Sequence, residues 1–113
     1  MKNSRVKEIV GRLNKQFESR VRLGIMSVLM VNESVDFVSL KELIDTTDGN
    51  LASHLAALEK NGLIEITKQF IGRKPNTKYA ATPGGKAAFR EHLDYLAMLI
   101  RDDGQGNTTG IKN

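Results

Sequence analysis

Cysteine and tryptophan are absent from this 113-residue chain, proline occurs twice and aromatic residues make up 5% of it. Without cysteine there is no disulfide framework, thiolate zinc site or cysteine nucleophile. No apolar run approaches the ~20 residues that span a membrane. The opening "MKNSRVKEIVGRLNKQF" lacks the uninterrupted apolar stretch of a signal peptide. The expected location is the cytoplasm, without membrane contact.

Catalytic and metal-binding patterns are missing too. "TPGGKAA" is not a phosphate loop: Ala80 stands where its first glycine should be, and Ala87 where Ser or Thr should follow Lys86. His92 and Asp94 are two residues apart and diverge on a helix, a poor metal pair. Ser53 and His54 are adjacent and lack an orienting carboxylate. No enzyme activity, metal or cofactor is expected. Met26, Met30 and Met98 are expected to fill the core.

Charge is present in quantity, and unevenly. The net charge is only +4, yet Lys60 to Arg90 holds seven basic residues against one acidic. Gly24 to Glu59 holds one basic and six acidic, and Met1 to Leu23 seven basic and two acidic. A local basic segment in a nearly neutral chain points to an anionic partner, the alternative being a solvated cationic face.

The length favours one compact domain over 1–101, followed by a Gly/Asp/Asn/Thr-rich tail, 102–113, expected to be disordered. Val6, Ile9, Val10 and Leu13 follow helical spacing, and Phe17 extends that stripe by a turn. Val21 to Val31 is almost wholly apolar, a helix buried on most sides, with Gly24 allowing close packing. Asp36 to Val38 suits a very short strand. Ser39 with Glu42 has capping-box spacing for a helix that ends near Thr46, with Leu40, Leu43 and Ile44 as its apolar side.

"TDGNLASHLAALEKNGLI" then forms a second short helix. Leu51, Leu55 and Leu58, with Ala52 beside them, form its buried face, and Gly62 suits a left-handed C-terminal cap. Ile64, Ile66 and Phe70 alternate along a strand, "GRKPNT" is a loop, and "KYAAT" returns as the second strand. Thr82 and Pro83 start a last helix, whose first turn Gly84 and Gly85 weaken. The class is α+β, mostly α with a small β-hairpin.

Two short helices joined by a tight turn, the second with a small polar front, are the parts of a helix-turn-helix. A B-DNA major groove about 12 Å wide admits one helix whose back is anchored in a core. Asn50, Ser53 and His54 occupy the first turns, where base edges are touched. The plain alternative is a helical hairpin with solvated polar residues. Arg73, Lys74 and Lys78 around the hairpin tip add groups suited to phosphates or a minor groove. Thr47, Lys60 and Asn76 complete the set expected on the DNA backbone or minor groove.

These residues carry a resemblance. "L-x-x-HL-x-x-LE-x-x-GLI", here Leu51, His54, Leu55, Leu58, Glu59, Gly62, Leu63 and Ile64, followed by "GRKPNTKYAATPGGKAAF", resembles the winged helix-turn-helix domain of MarR- and ArsR-type transcriptional regulators. The likeness spans Val38 to Ile100, over half the chain. It departs at Gly84, where an acidic residue is usual. It implies a three-helix core plus wing and a long C-terminal dimerisation helix, and a sequence-specific regulator of double-stranded DNA, of repressor type, working as a homodimer on a palindromic operator. It also implies that the first and last helices, 1–18 and 83–101, form the dimer interface.

The residues agree on that interface. Val6, Ile9, Val10, Leu13 and Phe17 offer a stripe complementary to Leu93, Leu96, Leu99 and Ile100, wider than one small core requires. The competing function is a winged helix that docks proteins without DNA. No residue pattern names an effector.

Overall fold

In the computed structural model, which describes residues 2–101, the chain begins as helix α1 (Lys2–Gly11). The tail expected over 102–113 lies outside the described residues. A short 3-10 turn (Lys15–Phe17) follows, then α2 (Arg20–Met30), strand β1 (Val35–Asp36), α3 (Phe37–Leu43) and α4 (Asp48–Lys60). Strands β2 (Ile64–Ile71) and β3 (Lys74–Ala81) form a hairpin, and α5 (Pro83–Arg101) closes the order. Among the described residues the architecture is therefore α+β: five α-helices and an antiparallel sheet in the order β1-β3-β2.

The expected stripe through Phe17 breaks at Gly11. Arg12 and Leu13 donate back to Ile9 and Val10 in a tightened last turn. Asn14 then starts a new turn, its side chain accepting the Gln16 N–H at 2.8 Å. That redirection sends Phe17 into the centre of the protein, fully buried and edge-on to Phe89 at 5.1 Å. His92 of α5 is buried beside both rings. Its Nδ1 accepts the Asn14 N–H at 3.0 Å, which ties α5 to the redirected segment. Around this knot pack Ile25, Met26, Leu29, Leu40, Leu51, Leu55, Leu58 and Ile64. Met26 fills the core as expected, whereas Met98 is exposed.

Four further expectations change. The helix after β1 is capped by Asp36, whose carboxylate accepts the Ser39 N–H at 2.8 Å, so Ser39 is the capped residue and the helix starts one turn early. An anion at a helix start also meets the positive end of its dipole. That helix stops at Leu43, which is exposed. Ala52 is exposed, not part of the leucine face.

The "GRKPNT" loop shrinks to a two-residue turn, because Ile71 already pairs with Lys74. Gly72, at φ +67°, supplies the left-handed residue such a turn needs. Pro75 then lies in strand, on a stretch that β1, pairing only with Lys78 and Tyr79, does not reach.

Gly85 does more than weaken a helix start. A Cβ there would land on the Leu63 carbonyl, a backbone group with no room to move aside. Gly84 has space, its nearest neighbour being Thr82 Oγ1 at 3.9 Å. Gly85→Ala should therefore destabilise the fold by about 1–3 kcal/mol through overpacking. Gly84→Ala should stabilise it by about 0.5 kcal/mol through helix propensity. Urea unfolding of the two variants checks both signs.

Candidate nucleic-acid interface

The α3–α4 pair is fixed from its backbone outward. Thr47 caps α4 by accepting the Asn50 N–H at 3.1 Å, and Asn50 Nδ2 donates to Thr46 Oγ1 at 2.7 Å. Lys41 on α3 meets Asp48 at 3.0 Å across the turn, a half-exposed pair that orients more than it stabilises. At the far end Gly62 takes φ +74°. Its N–H reaches Glu59 and that of Leu63 reaches Leu58, the two bonds of a Schellman motif. With Leu51, Leu55 and Leu58 locked in the core, α4 has no freedom to roll.

Its outward side carries Asn50, Ser53 and Lys60, all exposed, with the exposed Ala52 and Ala56 between them. Ala52 was expected on the buried face, and Ala56 was not singled out in the sequence. They make the front shallow enough for close approach, and their only signal in sequence was small size at helical spacing.

His54 lies differently. It is half-buried on the flank facing α2, and its Nδ1 accepts from Arg22 Nε at 2.8 Å. Arg22 also donates to Gln16 Oε1 at 2.8 Å, and Asn61 Nδ2 donates to the same oxygen at 3.2 Å. One ring nitrogen of His54 is thus committed inside the protein, to a network that holds α4 against α2 and the 3-10 turn. Arg22 and Gln16 gave no sign of this role in sequence, since Arg22 only interrupts an apolar run. Arg20 was also overlooked. It lines a cleft of about 420 Å³ beside Asn50, walled by Leu43, Ile44 and Asp45.

The hairpin projects from the sheet with Arg73 at its turn and Lys74 beside it, both exposed. Lys74, Asn76 and Lys78 alternate on one face of β3. Lys78 is half-buried and lies opposite Asp36 of β1. The Asp36 carboxyl is held below its ordinary range, first by hydrogen bonds from Ser39 and then by the Lys78 charge. Asn76 is half-buried, and its Oδ1 is covered without a hydrogen-bond partner.

Helix, tight turn, leucine-backed helix and basic hairpin follow one another here in the order of a winged helix. A family model described as a winged helix DNA-binding domain matches residues 21–100. The chain belongs to that family. A transcriptional regulator homologue from Pyrococcus horikoshii OT3 has a similar structure, with 33% identity and a TM-score of 0.75 over 86% of this chain and 94% of that one. An uncharacterized protein of Methanocaldococcus jannaschii is 35% identical over 88 residues, 78% of this chain and 96% of its own length. A structure assigned to the MarR family of transcriptional regulators, from Enterococcus faecalis V583, shares the fold at 23% identity and a TM-score of 0.61, over 86% of this chain and 83% of that one. The chain therefore carries a winged helix DNA-binding domain like that of the Pyrococcus transcriptional regulator homologue.

In this winged helix α1 and α5 pack together. Val6 and Val10 on α1, and Leu93 and Ile100 on α5, are exposed, and so is Met98 on another side of α5. Leu13, Leu96 and Leu99 are half-buried. Ile9 and Phe17 are buried within the protomer, so they have no surface left to offer a partner chain. Among the described residues no helix is long and apolar enough to cross a membrane.

Both histidines of the winged helix accept a hydrogen bond at Nδ1, so both are neutral and carry their proton on Nε2. Burial pushes both below the ordinary value of 6.5; at His54 the Arg22 charge adds to it, and at His92 Glu18 opposes it. A depressed native pKa gives stability that is complete above the unfolded value and lost as pH falls through the native one. Urea midpoints should therefore fall as pH drops below 6.5. A His54→Gln, His92→Gln double variant should flatten that profile above the carboxylate range.

Proposed function

We propose that this winged helix belongs to a cytoplasmic, sequence-specific transcriptional regulator of repressor type that occupies a palindromic operator as a homodimer. One observation carries the reading: a helix immobilised at its back and both ends exposes Asn50 and Ser53, and the hairpin that follows it in the chain exposes Arg73 and Lys74 at its tip. Asn50 and Ser53 face bases, and an Asn can pair with adenine through two bonds. Ala52 and Ala56 suit thymine methyl groups. His54 acts first as the strut that sets the helix angle and offers its remaining ring edge to the duplex. Thr47, Lys60, Arg73, Lys74, Asn76 and Lys78 serve the backbone or minor groove, and Arg20, in the cleft next to Asn50, joins them.

The homodimer is supported by the apolar side chains that Val6 and Val10 expose on α1, and Leu93 and Ile100 on one face of α5. Segments 1–18, through α1, and 83–101 of a single domain, 1–101, would then meet their symmetry mates. A two-fold axis sets two recognition helices roughly 34 Å apart on successive major-groove faces.

Selection of bound duplexes from a random pool gives the operator and its symmetry. On that operator Arg73→Ala or Lys74→Ala should weaken binding to all sequences. Each should flatten log K against log salt by about one unit per lost contact per protomer. Asn50→Ala should instead cost about 1–3 kcal/mol on the operator and little on random DNA. Indistinguishable behaviour of wing and helix variants on the two kinds of DNA would remove the base-reading assignment. Sedimentation of Leu93→Asp should give monomers where the parent gives dimers; an unchanged dimer would move the interface elsewhere.

A further inference from the structure

The wing carries more than charge. Phe70 is 73% exposed and Ile71 59%, although both sit in the strand that leads into the turn. Phe70 pairs across the hairpin with Pro75, and Ile71 with Lys74, so apolar groups stand directly behind the Gly72–Arg73 turn. Lys68 lies on the same face as Phe70, and Lys74 on the same face as Ile71. Large apolar side chains at the end of a polar ribbon are unfavourable in water and gain only when something covers them.

The surrounding cations restrict what that cover is. It must offer negative charge at its rim and apolar surface within reach. The minor groove of a duplex has both, with phosphates along its edges and deoxyribose and base edges inside. Dimensions add a condition. Ile66 is the last β2 residue packed on the core, and from there to Ile71 the ribbon reaches about 17 Å. A minor groove about 6 Å wide and 7.5 Å deep must widen to take the turn and the residue pairs directly behind it. Those pairs are Ile71–Lys74 and Phe70–Pro75.

Resting on the DNA-binding reading above, we propose that Phe70 and Ile71 form an apolar clamp in the minor groove, packing on sugars and base edges while Arg73 and Lys74 hold the phosphates. Part of the wing's affinity is then independent of salt. It also depends on how readily a sequence opens its minor groove, so the wing contributes selectivity at positions where it reads no base.

Fluorescence anisotropy with a mixed-sequence duplex of about 30 base pairs, from about 50 to about 400 mM KCl, separates the two contributions. Phe70→Ala should lower affinity about tenfold at every salt concentration and leave the slope unchanged. Ile71→Ala should do the same more weakly. Arg73→Ala should reduce the slope. Because Phe70 is exposed, its variant should keep the parent's urea midpoint, so lost affinity is not lost fold. Parent binding that is salt-sensitive but indifferent to Phe70→Ala would overturn the clamp alone and point to a protein on those side chains. So would a Phe70→Ala variant that changes the slope as Arg73→Ala does. A parent that binds no duplex in a salt-sensitive way would overturn both the clamp and the DNA-binding reading.

Discussion

Leu63 is where the working parts of the molecule are joined. Its N–H closes the end of α4 on Leu58 and its carbonyl accepts from the Thr82 N–H at 3.1 Å, while the Thr82 hydroxyl donates to the neighbouring Gly62 carbonyl at 2.8 Å. The same hydroxyl accepts the Gly85 N–H at 2.8 Å and so starts α5. Helix α4, both roots of the wing and the long last helix therefore meet around one residue. Gly85 is what lets α5 come close enough to close the joint. Each bond is worth only about 1 kcal/mol, but together they fix directions. A tilt at this point would swing the wing tip and α4 apart by many times the local displacement.

A second set of contacts ties the same parts together from the other side. His92 on α5 holds Asn14, Asn14 caps the turn containing Gln16, and Gln16 and His54 share the Arg22 guanidinium. This chain runs from the last helix to α4 through side chains that are mostly half-buried. A network in such surroundings is strongest when every member is satisfied. Both histidines complete it only as neutral acceptors. The segment between α1 and α2, which looks like a plain connection, is thus the second brace on α4.

The order of elements was legible because it rests on local signals. The leucines of α4, the Asn61-Gly62 exit, the Thr82-Pro83 start and the basic hairpin each belong to a short window. The alternation of Ile64 and Ile66 marked the buried root of the wing in the same way. What escaped depends on partners distant in the chain. Phe17 and His92 are 75 positions apart, yet meet edge-on at 5.4 Å, and no periodicity of α1 could reveal that the chain turns inward at Asn14. Gly85 looked like a weak helix former because propensity sees only its own helix, not the Leu63 carbonyl pressed against it. Asp36 and Ser39 compete for the same cap, and the aspartate wins where the β1–β3 pairing sets it opposite Lys78. Asn50 and Ser53 were visible on the face where they stand. The inward side of His54 was not, because Arg22 lies 32 positions away.

The two candidate DNA-facing elements differ in how firmly they are held, and that difference divides their roles. α4 is pinned by its cap, its Schellman exit, three buried leucines and the Arg22 network. A base-reading group needs such support, since hydrogen bonds to base edges fail within fractions of an ångström. The wing is anchored only at its root, where β1 contributes two paired residues, and beyond Lys78 it continues as a two-stranded ribbon. A ribbon of that kind twists at little cost. It suits contacts that tolerate variation, such as phosphates and the walls of a groove whose width changes with sequence. Rigid side chains on the helix and an adaptable, cationic and partly apolar tip on the wing are thus the arrangement in which discrimination and grip do not compete for the same residues.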